Sequence, residues 1–251
     1  MLKKSTFREI RSSLGRYLAI LAIVALGVGF FSGLKVTQEA MVKTTDSYLS
    51  EHNLFDYRLV STLGFEDKDV EELSKLSDVE AVASSISQDM LFHFADSDED
   101  RVISFHTVTD RINTLELVDG RLPQAPDECV VDHKLGDSLI GSKIVLSEKN
   151  DKDALKMFKH RTLKIVGTVV SPIYLNFERG STTLGNGTVA GFAYMNAEGF
   201  DTDYYTEVYI SLKEKYPIYS DEYKDYIDET EDRVDEALKA AGTARHDRIV
   251  K

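Results

Sequence analysis

A single cysteine, Cys129, excludes any internal disulfide, so the fold must be held by packing alone. It sits in the apolar run Cys129-Val130-Val131, which predicts a buried, inert thiol rather than a nucleophile. Histidine is sparse and scattered (His52, His93, His106, His133, His160, His246), with no pair at i,i+4 and no His-Glu-x-x-His. His93 and His106 could face each other across a hairpin, but without supporting carboxylates they would make a weak metal site. No Gly-x-Ser-x-Gly elbow occurs, and no Ser/His/Asp order stands out, so no hydrolytic site is expected. Positive charge is scarce beyond the N-terminus: of the net −13, residues 1–34 carry +4 and residues 35–251 carry −17. That excess of acid excludes nucleic acid as a partner, because phosphates need Lys and Arg to neutralise them. It also disfavours adhesion of the larger part to anionic lipid, and fits a solvated extracytoplasmic surface.

Charge is missing altogether between Tyr17 and Leu34. Eighteen helical residues span roughly 27 Å, close to the ~30 Å hydrocarbon thickness of a bilayer. Lys3, Lys4, Arg8, Arg11 and Arg16 precede this run against one acid, Glu9, which predicts a cytoplasmic N-terminus and an exported remainder. A cleavable signal would have a shorter core, about 7–15 residues, and a small-x-small site; Phe31-Ser32-Gly33 and Thr37-Gln38-Glu39 are both poor ones. A retained transmembrane helix over 17–36 is the expectation. Phe7, Ile10, Leu14 and Tyr17 recur at helical steps, so residues 1–16 read as an amphipathic helix at the inner interface. Ala25, Gly29 and Gly33 form a small-xxx-small ladder, which is either a helix-packing face or the ordinary enrichment of glycine in membrane helices.

Val36, Ala40, Val42, Tyr48 and Leu49 continue the helical pattern as a stalk over 37–56, with the helix ending near Asn53. No Gly/Ser linker separates Leu34 from Tyr57, so a displacement of one would be transmitted rather than absorbed. Residues 56–62 alternate as a strand, and Glu66 to Leu76 reads as a short helix with Val70, Leu73 and Leu76 inward. Strands are predicted at Val79–Phe94, broken by a bulge or bend, and at Arg101–Val108. The turn Asp96 to Asp100 superficially resembles a calcium loop, but Arg101 replaces the required glycine and the bidentate Glu is missing. Further strands are expected at Glu128–Asp132, Lys143–Leu146, Thr162–Val170, Gly191–Met195 and Glu207–Leu212, which makes the class α+β. In the run from Glu178 to Gly187, Gly180 and Gly185 have P-loop separation, but Asn186 stands where the lysine belongs. The segment also joins two strands, so a flexible exposed loop is expected, touching a partner or substrate. Over 219–251, Tyr223, Ile227, Thr230, Val234, Ala237 and Ala241 have the a/d spacing of a coiled-coil seam, and helical pattern persists to Lys251. The sequence therefore reads as the first part of a longer protein.

Several phrases resemble one family. Arg8 to Leu21 resembles the amphipathic segment and first membrane helix of MacB/FtsX-like ABC-transporter permeases, and Leu26 to Leu34 is similar to the same helix in Gram-positive members. So is the passage from Asp46-Ser47-Tyr48 to Asn53 through Gly64. Gly120-Arg121-Leu122-Pro123 followed by Glu128-Cys129-Val130-Val131 resembles the periplasmic-core signature, and Val166-Gly167-Thr168-Val169 resembles a later family strand. The resemblance implies a two-lobed mixed α/β extracytoplasmic core over 57–218. It also implies a separate cytoplasmic ATPase that binds ATP and moves this core, and contacts with lipid and with other permease helices, in a dimer or otherwise. Neither a metal nor a cofactor is implied in this chain. In larger relatives a coiled coil is inserted in this region, and 219–251 would be its beginning. One membrane span and no C-terminal bundle is the one large departure from a full family member.

Two other readings stay in view: a signal-anchored binding or sensor domain, whose last helix would pack back on the domain, and an anchored hydrolase, which the spacing does not support.

Overall fold

The computed structural model describes residues 14–136 and 138–249. The amphipathic helix expected at 1–16 lies outside the described residues up to position 13. Two compact units divide the chain, Met1–Ser47 and Tyr48–Lys251.

The described part of the first unit is all helix. A single α-helix, α1 (Leu14–Glu51), covers the expected membrane span and stalk without a break, and its apolar window is unburied by other described residues. It is long and apolar enough to cross a bilayer.

In the second unit, α1 ends where Asn53 turns into the left-handed region at φ 47°. The helix α2 (Asp67–Ser74) follows strand β1 (Tyr57–Phe65) and is started by a capping box between Glu66 and Asp69. Strands β2 (Val79–Ser85) and β10 (Tyr205–Leu212) join β1 in a three-stranded antiparallel sheet, order β1-β10-β2. One face of this sheet carries Leu59, Val79, Val208, Ile210 and Leu212, against which Leu73 of α2 and Val234 pack. Val234 belongs to α4 (Asp221–Ile249).

The second sheet contains β3 (Ser87–Phe94), β4 (Arg101–Thr107), β5 (Glu116–Gly120), β6 (Glu128–Asp132), β7 (Lys143–Leu146), β8 (Thr162–Val170) and β9 (Gly191–Met195). Its order is β5-β8-β6-β9-β4-β3-β7, and β7 also pairs with β8, so six strands close into a ring with β5 alongside β8. Alternation fills the ring with side chains: Met90 and Phe92, Ile103 and Phe105, Cys129 and Val131, Leu163 and Ile165, Ala193 and Met195 all face one core. Phe158, just past the short α3 (Lys152–Lys156), plugs that core edge-on against Phe105 at 5.1 Å between ring centroids.

The break expected between Val79 and Phe94 falls on Ile86 and does more than bend a strand. Ser85 pairs with Glu207 in the small sheet, whereas Ser87 pairs with His106 in the ring. The buried Ile86 makes the crossing in one residue, its N–H donating to Thr107 Oγ1 (3.1 Å) and its carbonyl accepting from Thr107 N–H (3.2 Å).

The sequence expectation for 219–251 needs one correction. From Tyr226 to Leu238 the apolar side of α4 lies on α2 and the small sheet, and Thr230 and Val234 are buried there. Tyr57 donates its hydroxyl to Ile227 O at 2.7 Å, Tyr223 donates to Asp56 at 3.0 Å, and Arg233 pairs with Asp78 at 2.8 Å. The heptad seam is covered by the domain itself over this stretch, because an exposed apolar face next to a lone helix finds its nearest partner locally. Also unanticipated were β5 and α3. All five residues of β5 are exposed, so it lacks the apolar alternation that marks a half-buried strand.

Candidate functional site

The family-like phrases meet at one place in the fold. Gly120 at the end of β5 pairs directly with Gly167 in β8. Gly120 has φ +80°, and a Cβ there would stand 2.8 Å from Gly167 Cα; a Cβ on Gly167 would stand 2.6 Å from Arg121 O. Only two glycines permit this approach. Arg121 then forks onto Glu128, its Nη1 and Nη2 donating at 2.7 and 2.5 Å, and Gln124 N–H adds a third bond at 3.0 Å. Arg121 first and the Gln124 amide second hold the Glu128 carboxyl down at about 2. The signature is a structural brace that ties β5 and the turn after it to the start of β6.

The glycine-containing run expected to be flexible is anchored. Arg179 is buried and donates Nε and Nη2 to the buried Asp132 at 2.6 and 3.0 Å, while Nη1 donates to Tyr174 O and Asn176 O at 2.7 and 2.6 Å. Its guanidinium also lies over the Phe192 ring at 5.3 Å, and Tyr174 stacks on that ring at 4.5 Å. One arginine therefore closes the loop on itself and fastens it to the end of β6. Composition gave no hint of this, since Asp132 lies 47 positions away.

Between this loop and the outer face of β3 and β4 lies a cleft of about 540 Å³. Arg58, Asp89, Ser104, His106, Tyr174 and Ser181 line it. Strand register supplies the floor: Asp89 and Ser104 are direct partners, and His106 follows two residues later on the same face. Ser104 Oγ donates to Asp89 Oδ1 at 2.8 Å. His106 Nε2 lies 2.6 Å from the Tyr174 hydroxyl, and its Nδ1 is buried without a partner among the described residues. Burial pushes the imidazole down to about 4, Glu207 opposing and Arg58 adding to the shift. Burial likewise pushes Tyr174 up to about 12. At neutral pH both are uncharged. Arg58 donates Nε and Nη2 to the buried Glu207, whose other neighbour is the Tyr209 hydroxyl at 2.5 Å. The Ser104 proton is thus directed to Asp89 and not to His106, so this trio lacks the serine–imidazole bond of a nucleophilic triad.

The other candidates from the sequence are dispersed. His93 sits at the far end of the β3–β4 hairpin from His106, at 3.3 Å from Asp100, because the register places His106 opposite Ser87. Asp100 itself is taken up by Lys149 (2.7 Å) and Ser147 (3.1 Å). No group of three metal-binding side chains occurs among the described residues. Cys129 is fully buried in the ring core, and burial pushes its thiol up. Ala25, Gly29 and Gly33 lie along exposed α1, and a Cβ added at Gly29 or Gly33 would meet nothing within 4 Å.

An apolar helix long enough to cross a bilayer, followed by a mixed α/β body with a ring of strands and a small sheet, defines the architecture. The MacB-like periplasmic core domain model matches residues 18–218, and the chain belongs to that family, the extracytoplasmic core of MacB/FtsX-like ABC-transporter permeases. Among solved structures it is similar to the extracellular domain of the noncanonic ABC-type transporter YknZ from Gram-positive bacteria. That likeness has 14% identity and a TM-score of 0.40, and covers 63% of this chain and 78% of that one. It is also similar to the periplasmic region of MacB from Actinobacillus actinomycetemcomitans, at 12% identity and a TM-score of 0.43, over 73% of this chain and 76% of that one. No curated protein matches the chain in sequence.

Proposed function

We propose that this chain is the N-terminal portion of a permease subunit in which a separate cytoplasmic ATPase moves the extracytoplasmic domain. The observation that carries the reading is the unbroken run of α1 from Leu14 to Glu51, followed within two residues by a hydrogen-bonded turn. A helix has no soft joint of the kind a Gly/Ser linker supplies, so motion imposed at its N-terminal end is available at its C-terminal end. In this reading the N-terminus is cytoplasmic, ATP is bound by the partner and not by this chain, and Ala25, Gly29 and Gly33 are where another permease helix packs.

The test is co-expression of the chain with ATP-binding-cassette ATPases from the same genome, followed by affinity purification in detergent. Co-purification is expected, together with an ATP-dependent change in spin-label distances between the N-terminal end of α1 and Thr114. Purification free of any ATPase, with distances indifferent to ATP, would overturn it.

One observation favours a second reading, a self-contained binding or sensor domain on a membrane anchor: α4 lies back on the small sheet. In that case the chain would purify without an ATPase and still bind a ligand.

A further inference from the structure

Beyond any role in transmitting motion, the cleft under the loop closed by Arg179 has the features of a ligand site. Its volume of about 540 Å³ lies in the range of small-molecule sites. Its walls are polar, with hydroxyls of Ser87, Ser181 and Thr182 added to the floor. The roof is fixed by the buried Arg179–Asp132 pair, so the cleft does not have to be assembled on binding.

Two charged groups face this space with unused capacity. Arg58 commits Nε and Nη2 to Glu207, which fixes the plane of the guanidinium, and Nη1 has no partner among the described residues. Its side chain remains 41% exposed. Asp89 receives Ser104 on Oδ1, while Oδ2 accepts from no described residue and the carboxylate has no cationic partner there. Each is therefore oriented by a neighbour and left with one free polar edge. Beside them the Nδ1 of His106 is buried with no partner among the described residues.

The charges decide what fits. A simple anion would gain Arg58 but be repelled by Asp89 and Glu207. A simple cation would gain Asp89 but face Arg58. A molecule with one charge of each sign satisfies both edges, and the hydroxyl-rich walls suit a hydrophilic backbone. We propose that this cleft binds a zwitterion with a free ammonium and a free carboxylate, an amino acid or a short peptide with both termini ionised, its carboxylate on Arg58 and its ammonium on Asp89.

Isothermal titration calorimetry on the full chain in detergent micelles tests this with alanine and dialanine as probes, against N-acetyl-dialanine and dialanine amide. At least one free probe should bind, and each blocked form should bind roughly tenfold or more weakly, because each lacks one of the two charges. Asp89→Asn should abolish the discrimination against the acetylated form while keeping that against the amide, with circular dichroism verifying that the variant is folded. Absence of binding by either free probe at about 10 mM, or equal binding of free and blocked dialanine, overturns the proposal. Neither result depends on whether an ATPase partner exists.

Discussion

Asn113 donates its backbone N–H to the carbonyl of Asn53 at 2.9 Å, and these are the two non-glycine residues with positive φ among the described residues, at 56° and 47°. Around them the turn after α1 is held by a dense set of bonds. The Asn113 side-chain carbonyl accepts from Phe55 N–H at 3.0 Å, and Asn53 Nδ2 donates to Arg111 O at 2.5 Å. Thr114 N–H donates to His52 O at 2.9 Å, while His52 Nδ1 lies 2.8 Å from Thr114 O. The segment Arg111–Thr114 therefore works as a socket for the residues that end the helix. Asparagine suits both positions because it tolerates the left-handed region and carries its own acceptor.

Asn113→Ala should destabilise the domain by about 2–3 kcal/mol, from the lost bond to Phe55 and the left-handed backbone imposed on alanine. Asn113→Gly should recover the backbone part and cost about 1 kcal/mol. Denaturant unfolding of the full chain in detergent, followed by circular dichroism, gives both values. Equal stabilities for the two variants would show that backbone conformation does not matter at this position.

The Gly120–Gly167 contact makes a sharper claim. Gly167→Ala should cost about 3 kcal/mol or more, since its Cβ would meet the backbone of Asp119 and Arg121, which cannot yield without unpairing β5. Gly141→Ala is the comparison: unlike Gly167 it has positive φ, +90°, and nothing lies within 4 Å of the added atom, so about 1–2 kcal/mol is expected. Thermal unfolding of the two variants side by side separates crowding from conformation.

These glycines also show what could be read from the chain beforehand. Strands β6 to β9 were legible to the residue, because each is an apolar block between turn residues, and the cores of β1, β4 and β10 were found for the same reason. The family phrases were visible as phrases, but their physical link, one glycine seated against another 47 positions on, needed the pairing of β5 with β8. The cleft was illegible for a related cause. Asp89, Ser104 and His106 are ordinary strand residues until register and the closing ring set them beneath a loop held by Arg179. Strand β5 escaped notice because its side chains are all exposed. The seam of α4 is apolar as its spacing implies, but from Tyr226 to Leu238 the domain itself covers it, since periodicity identifies a face and not its partner.

Arg179→Met should be costly, about 3–5 kcal/mol, because it leaves Asp132 charged and buried without its arginine, with only the His133 ring at 3.6 Å beside it. Replacing both partners, Arg179→Met with Asp132→Leu, should recover a good part of that loss, although the carbonyls of Tyr174 and Asn176 would remain without their donor. In the single variant, proteolysis between Tyr174 and Gly187 should accelerate ahead of global unfolding. Unchanged cleavage there would mean that the loop is held by something other than this arginine.

Glu128 gives a pH signature. Its carboxyl is held at about 2 in the folded protein, below its ordinary value near 4.5, so the folded state binds fewer protons than the unfolded one in that window. The stabilisation is fully present above the unfolded value and fades as pH falls through 4.5 toward 2. Glu128→Gln should lower stability at pH 7 and flatten its dependence below pH 5. Parallel acid-unfolding curves for wild type and variant would remove Glu128 from the account of acid sensitivity.

The docking of α4 can be separated from a coiled-coil role by two substitutions on the same helix. Val234 is buried against the small sheet, so Val234→Asp should destabilise the domain by about 3 kcal/mol through lost packing and a buried charge. Ala240 is exposed, and Ala240→Asp should change stability by no more than about 0.5 kcal/mol. Were the seam filled by another chain, Val234→Asp would instead shift the oligomeric state and leave unfolding of the isolated domain unaltered. Analytical ultracentrifugation alongside denaturant unfolding distinguishes the two. Tyr57, which bonds the helix from β1, and Tyr223, which bonds from the helix to Asp56, make the intramolecular outcome the expected one.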